Sequence, residues 1–316
     1  MSNGARRAGA VAIGLAVDRL AGEPPARFHP VARFGTAMDR AEGRLWADQR
    51  GRGLALAATG VGAAAAMGWA AEWALGDGVA TAAAVSISSA GLALTQAADA
   101  VAERLRAGDL AGARAALPAL VGRDSSELDE KEIARAVVES VAENLSDAVV
   151  ATALWGLLGG APLAFGHRAA NTLDAMVGHR TSRHARFGWA SARLDDLLGW
   201  PAARATAVLV AVAAPGRAGA VWRACRRDAP QHPSPNAGVA EAAFAAALDL
   251  RLGGVNRYGG RVELRAPLGE GAVPGPADID RAVALARRTT MLLLMALLAG
   301  WATGWLGQVA RGRGEP

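Results

Sequence analysis

The chain has 316 residues, a formal net charge of +5 and an isoelectric point of about 10.6. Hydrophobic residues make up 52% and aromatics only 5%, so the apolar content is mostly Ala, Val and Leu, which favours helix and argues against a large β-sheet. Arginine supplies every basic residue except Lys131, spread over the loops among acids without the single patch of a nucleic-acid binder, and the lone Cys225 excludes an intramolecular disulfide and a cysteine zinc site.

A mean hydropathy of +0.18 suits a membrane protein with large polar loops. The expected fold is all-α, a polytopic helical membrane protein. Residues 1–316 are read as one integral membrane domain, with polar segments at 99–147 and 166–289 carrying the site. Arg6, Arg7 and the apolar run Ala8–Val17 imitate a secretion signal, but Asp18 and Arg19 interrupt it and no cleavage site follows, so a retained helix is expected. Asp18–Val31 follows as a polar turn with three prolines, and His29 sits rigidly between Phe28 and Pro30.

Five spans are expected: Leu54–Leu75, Val79–Ala98, Ala148–Phe165, Ala205–Val221 and Thr290–Val309. Arginines flank the last on both sides, with Trp301 and Trp305 as interfacial anchors. Ala148–Phe165 contains Gly159, Gly160 and Pro162, and Ala205–Val221 is interrupted by Pro215 and Arg217. Both are expected to be re-entrant or shallow and to wall a cavity, because irregular backbone at membrane depth must be buried in protein or line one.

Between the second and third spans lies a charged helix whose start is marked by Ser126 with Asp129, a capping-box spacing. Glu132, Arg135, Glu139, Glu143 and Asp147 recur every three or four residues and form one stripe. Pairs such as Glu127–Lys131 and Arg135–Glu139 would explain the first half as a solvated helix. No base on the same helix serves Glu143 and Asp147, and a hard cation such as Mg²⁺ takes carboxylate oxygens. Arg168, Asn171 and Asp174 share a second helical face that Gly178 would end, and Asp195 and Asp196 follow Arg193. The five histidines lack zinc spacing. No Walker-A loop or nucleophile elbow is present. Arg261–Asp278, rich in Gly and Pro, reads as an exposed loop.

Seven blocks in order resemble one family. They are G-E-P with H-P-V (22–31), R-D-S-S-E-L-D (123–129), E-S-V-A-E-N-x-x-D (139–147), N-T-L-D-A-M-V-G (171–178), F-G-W-A-S-A-R-L-D-D (187–196), S-P-N-A-G (234–238) and L-G-G-x-N-x-Y-G-G (252–260). Together they are similar to the adenosylcobinamide-phosphate synthases of cobalamin biosynthesis, the CobD/CbiB family. Ser125 and Leu145–Ser146 are mild departures from its usual residues.

The resemblance implies a multi-pass enzyme of the cell membrane with its active site facing the cytoplasm. It would join adenosylcobyric acid, a corrinoid substrate, to (R)-1-aminopropan-2-ol or its O-phosphate with ATP and Mg²⁺. On that reading Glu139, Glu143, Asp147 and Asp174 hold Mg²⁺. Arg123, Arg168 and Arg193 neutralise phosphate, and Asp195 or Asp196 takes the ammonium proton. Asn171, Asn236 and Asn256 bind corrin amides, and His29, Asp124, Asn144 and Tyr258 complete the substrate contacts. All are expected to converge on one pocket. The lipid bilayer, other nucleotide-loop assembly enzymes and a second copy of the chain are the candidate partners. The rival readings are a corrinoid transporter and a non-catalytic scaffold.

Overall fold

A computed structural model describes residues 2–24, 27–179, 181–258 and 261–312. In chain order the elements are α1 (Asn3–Ala21), α2 (Pro30–Leu45), α3 (Arg50–Leu75), α4 (Asp77–Ser88), α5 (Gly91–Arg106), α6 (Leu110–Ala116), α7 (Glu130–Asn144), α8 (Ala151–Val177), α9 (Trp189–Ala213), α10 (Ala218–Arg227), α11 (Ala237–Leu248), β1 (Leu252–Tyr258), β2 (Arg261–Leu268) and α12 (Pro276–Gly312). The fold is helical, as the Ala/Leu/Val composition dictates. Among the described residues, five helical stretches are long and apolar enough to cross a membrane: Arg50–Leu75, Asp77–Arg106, Glu130–Val177, Trp189–Ala213 and Pro276–Leu306.

Three expectations change. The fourth apolar helix is Trp189–Ala213 rather than Ala205–Val221, because Pro215 lacks a donor and a 3-10 turn, Pro215–Arg217, intervenes before α10. Residues 261–268 are not loop. They pair antiparallel with β1, Asn256 opposite Glu263 and Val255 opposite Leu264, with an irregularity between Leu252 and Gly254. Two short strands fit within a helical protein because only one ladder is needed. Finally, α7 is capped by Asp129, whose side chain accepts from Glu132 N while Glu132 returns the bond. Ser126 instead donates to Asp124 through its backbone and hydroxyl.

The chain divides into two compact units. Unit 1 comprises Met1–Ala90, Ala151–Gly199 and Leu294–Pro316, and unit 2 comprises Gly91–Val150 and Trp200–Leu293. In unit 1, α3 packs along α8, and α4 packs against α1 and α8. Small residues allow this closeness: Gly68 lies against the backbone of Ala161 and Pro162, and Gly53 against that of Phe187. Leu56, Leu173, Val177 and Phe187 form a buried core with Phe34 and Met38. Trp69 and Trp73 on α3 are 67% and 84% exposed, a surface that suits lipid better than water.

In unit 2, α5 and α6 flank α7, and α11 packs on α7, α10 and the hairpin. Ile133, Val137, Phe244, Leu252, Leu268 and Ile279 are buried there.

Candidate functional site

In unit 2 the charged helix is not solvated. From Ile133 to Val150 every residue is buried except Glu143, Asn144 and Asp147. Burying Arg135 and Glu139 demands partners, and the hairpin and the loop before α7 supply them. Glu139 Oε2 accepts from Arg123 Nη2 at 2.6 Å, while Oε1 accepts from Gly253 N at 2.9 Å and Arg135 Nη1 at 3.4 Å. Asn256 Oδ1 accepts from Arg123 Nη1 at 2.8 Å and Arg135 Nη1 at 3.2 Å. Arg135 also donates to the carbonyls of Gly253 and Val255. Arg135–Glu139 is thus an i,i+4 pair, but a buried one. Gly253, at φ 85°, stands where a β-carbon would meet the Ala266 carbonyl, so glycine is required for the amide to reach Glu139.

This lattice leaves two donor groups buried without partners among the described residues: Arg123 Nε and Asn256 Nδ2. Beside it lie groups that the sequence reading missed. Glu241, on the otherwise apolar α11, is 1% exposed. Burial, then the nearby Glu139 and Glu143 carboxylates, push its carboxyl well above the usual range despite Arg265 and Arg123. His232 Nε2 lies 3.7 Å from Glu241 Oε1 and 3.0 Å from Arg265 Nη1. Burial, then Arg265, lower its pKa, so the ring is neutral near pH 7. A lone ionisable residue in the apolar run 237–248 was the signal that could have found Glu241.

The α7 helix passes into a π-turn at Leu145–Val150, a form frequent at functional sites. Asp147 lies in it. The Asn144 amide nitrogen donates to Ser140 O and Ser140 Oγ. Among the described residues no group of three or more His, Cys, Asp or Glu gathers as a metal site.

Unit 1 brings a second set together. Arg168 Nη1 donates to Asn171 Oδ1 at 3.2 Å, and Asn171 Nδ2 donates to Asp195 Oδ1 at 3.3 Å. Asp174 feels the charges of Asp196 and His179. The last turns of α8 thereby face the first turns of α9, and Gly178 follows the end of α8 as expected. Arg168 also edges a small open cleft whose other lining includes Pro30, Val31, Phe34, Met67 and Phe165. His29 serves as the N-cap of α2, its Nδ1 accepting from Val31 N at 3.2 Å and its Nε2 lying 3.5 Å from Glu23 Oε2.

The other candidates lie outside these two sets. Arg193 is exposed on α9, and Asp124 is exposed in its turn. Asn236 is buried, accepting from Arg204 at 3.1 Å at the start of α11. The side chain of Tyr258 lies outside the described residues.

A helical protein with five apolar membrane-length stretches, a buried Arg–Glu–Asn lattice and a short part-open acidic window defines an integral membrane protein with a built polar centre. The chain belongs to the CobD/CbiB family, whose model matches residues 11–286. It is 45% identical over 287 residues to the cobalamin biosynthesis protein CobD of Mycobacterium tuberculosis, covering 89% of this chain and 91% of the relative. The protein of that name from Rhodobacter capsulatus is 50% identical over 203 residues, covering 63% of this chain and 64% of the relative. That from Halalkalibacterium halodurans is 38% identical over 309 residues, covering 92% and 96%. No solved structure matches the chain. Membership gives the chain a role in cobalamin biosynthesis.

Proposed function

We propose that this protein is an ATP-dependent amide synthase of the cell membrane, its polar segments on the cytoplasmic side. It joins adenosylcobyric acid to (R)-1-aminopropan-2-ol or its O-phosphate, giving adenosylcobinamide or its phosphate. The observation carrying this reading is the acidic window. A helix buried from Ile133 to Val150 opens only at Glu143, Asn144 and Asp147, which leaves two carboxylates of one helical face part-open to a ligand.

The donor set fits Mg²⁺, which is commonly held by one or two carboxylates together with substrate phosphates rather than by a full protein cage. Glu143 and Asp147 are the proposed ligands, and Asp174 is a further candidate within its own set. Glu139 already spends both oxygens on Arg123, Arg135 and Gly253, so its role is to hold the centre in shape. ATP with Mg²⁺ supplies the phosphoryl group that turns the corrin carboxylate into an acyl donor. The protein's part is then positioning and charge. Arg123 is held rigidly by Glu139 and Asn256, so its remaining N–H can meet an anionic oxygen without reorganising. For Arg168, Asn171, Asp195 and Asp196 we propose recognition of phosphate and amide groups and acceptance of the ammonium proton.

Purified protein should consume ATP only when both a corrinoid acid and an amino alcohol are present. ATP turnover without either one, or transport of an intact corrinoid into vesicles with no new amide, would favour the rival readings.

A further inference from the structure

The break in α8 gathers a separate set of oxygens within unit 1. Gly159 and Gly160 leave helical geometry, Gly160 at φ 65° and ψ −152°. The last carbonyls before such a break lose their helical donors and form a negative end. Arg7 meets that end, Nη1 donating to Leu158 O at 3.1 Å, and its Nε donates to Asp77 Oδ1 at 2.9 Å. Beyond the break the helix restarts, and Ala161 N donates to Glu72 Oε1 at 2.9 Å. Glu72 Oε1 and Asp77 Oδ1 both lie beside Gly160.

Two features ask for a ligand. A β-carbon on Gly160 would lie 3.1 Å from both Asp77 Oδ1 and Thr81 Oγ1 and closer still to Glu72 Oε1. Three side-chain oxygens therefore crowd the side of Gly160 where any other residue would carry its β-carbon. Thr81 is fully buried, and its hydroxyl has no hydrogen-bond partner among the described residues; a buried polar atom in that condition calls for an explanation. Charge points the same way. Two carboxylates gather around one guanidinium, Arg7.

We propose that Glu72, Asp77 and Thr81, with the carbonyl end of the broken helix, bind one monovalent alkali cation such as Na⁺. A divalent ion would overshoot the charge, and Mg²⁺ also demands octahedral geometry and retains several waters. Unwound carbonyls and half-helix ends are suitable ligands for Na⁺ at membrane depth. The cation would lock the break, joining α3, α4 and the two halves of α8. This inference stands apart from the amide synthase reading and survives its failure.

The test is equilibrium binding of ²²Na⁺ to the purified full-length protein in detergent at constant ionic strength, with choline as the balancing ion. One saturable site is expected. Thr81→Val and Glu72→Gln should each weaken it by roughly tenfold or more, while Thr81→Ser retains it, with melting in choline checking that each variant folds. If Glu72→Gln fails to fold, Thr81→Val against Thr81→Ser decides alone. No saturable ²²Na⁺ binding to the wild type overturns the proposal. So does binding unchanged in folded Thr81→Val, or lost equally in Thr81→Ser.

Discussion

Deleting Glu139 should cost far more stability than an exposed carboxylate could. The side chains of Arg123, Arg135 and Glu139 are 6%, 8% and 3% exposed. Removing the carboxylate leaves both guanidiniums buried without their countercharge and Gly253 N without its acceptor, and breaking a buried pair this way costs about 3–5 kcal/mol. At about 1.4 kcal/mol per factor of ten, the folded-to-unfolded ratio falls by roughly two to three and a half powers of ten. Arg123→Ala should cost somewhat less, because Arg135 still faces Glu139. The double variant Arg123→Ala/Glu139→Ala should fall short of the sum of the singles by about 1–3 kcal/mol, the coupling expected of groups in one network. Equilibrium unfolding in mixed micelles measures all four states. Additivity within about 0.5 kcal/mol would refute the claim that these residues form one charge lattice.

Three further outcomes follow from local geometry. Burial raises the Cys225 thiol to about 11, so the folded protein should react with a maleimide at neutral pH roughly a hundredfold more slowly than the unfolded chain, a contrast that also reports unfolding; equal rates would contradict the packing of α10 on α11. Glu241 keeps its proton in the folded state above the pH at which the unfolded chain releases it. Its contribution is therefore fully present at low pH and lost as pH rises through the folded value. Glu241→Gln should flatten the alkaline side of the stability profile and be tolerated better than Glu241→Ala, and an unchanged profile would refute this. Gly160→Ala forces a side chain into left-handed backbone and into Glu72 Oε1. It should cost at least about 1–2 kcal/mol in a thermal melt, whereas Gly62→Ala on α3, where a β-carbon meets nothing, should be neutral or stabilising.

Much of the fold was legible because apolar length is a local property. Leu54–Leu75 and Thr290–Val309 fall inside observed helices, and the Gly159–Gly160 break within Ala148–Phe165 is present. What failed was less local. Asp129 and Ser126 carry similar capping chemistry, and only the competing Asp124 turn decided between them. The hairpin was hidden because glycines and arginines mask its alternation. Ladder pairing and the lattice then placed Asn256 against Arg123 and Arg135.

The site divides the same way. The stripe Glu139–Glu143–Asp147 could be read from helical spacing, as could Arg168–Asn171–Asp174. Spacing could not say that Arg135 and Glu139 are buried while Glu143 and Asp147 are part-open, because the covering residues come from elements a hundred residues away. Glu241, His232 and Arg265 went unnoticed for that reason: each is ordinary in its own segment, and only tertiary packing puts them together.

The most direct test is mass analysis of the corrinoid formed when purified protein is incubated with adenosylcobyric acid, ATP, Mg²⁺ and either aminopropanol or its phosphate. The account predicts a new amide with the wild type and its near-complete loss in Glu143→Gln and Asp147→Asn variants that melt normally. An unchanged corrinoid with the wild type, or full product from both variants, would contradict it.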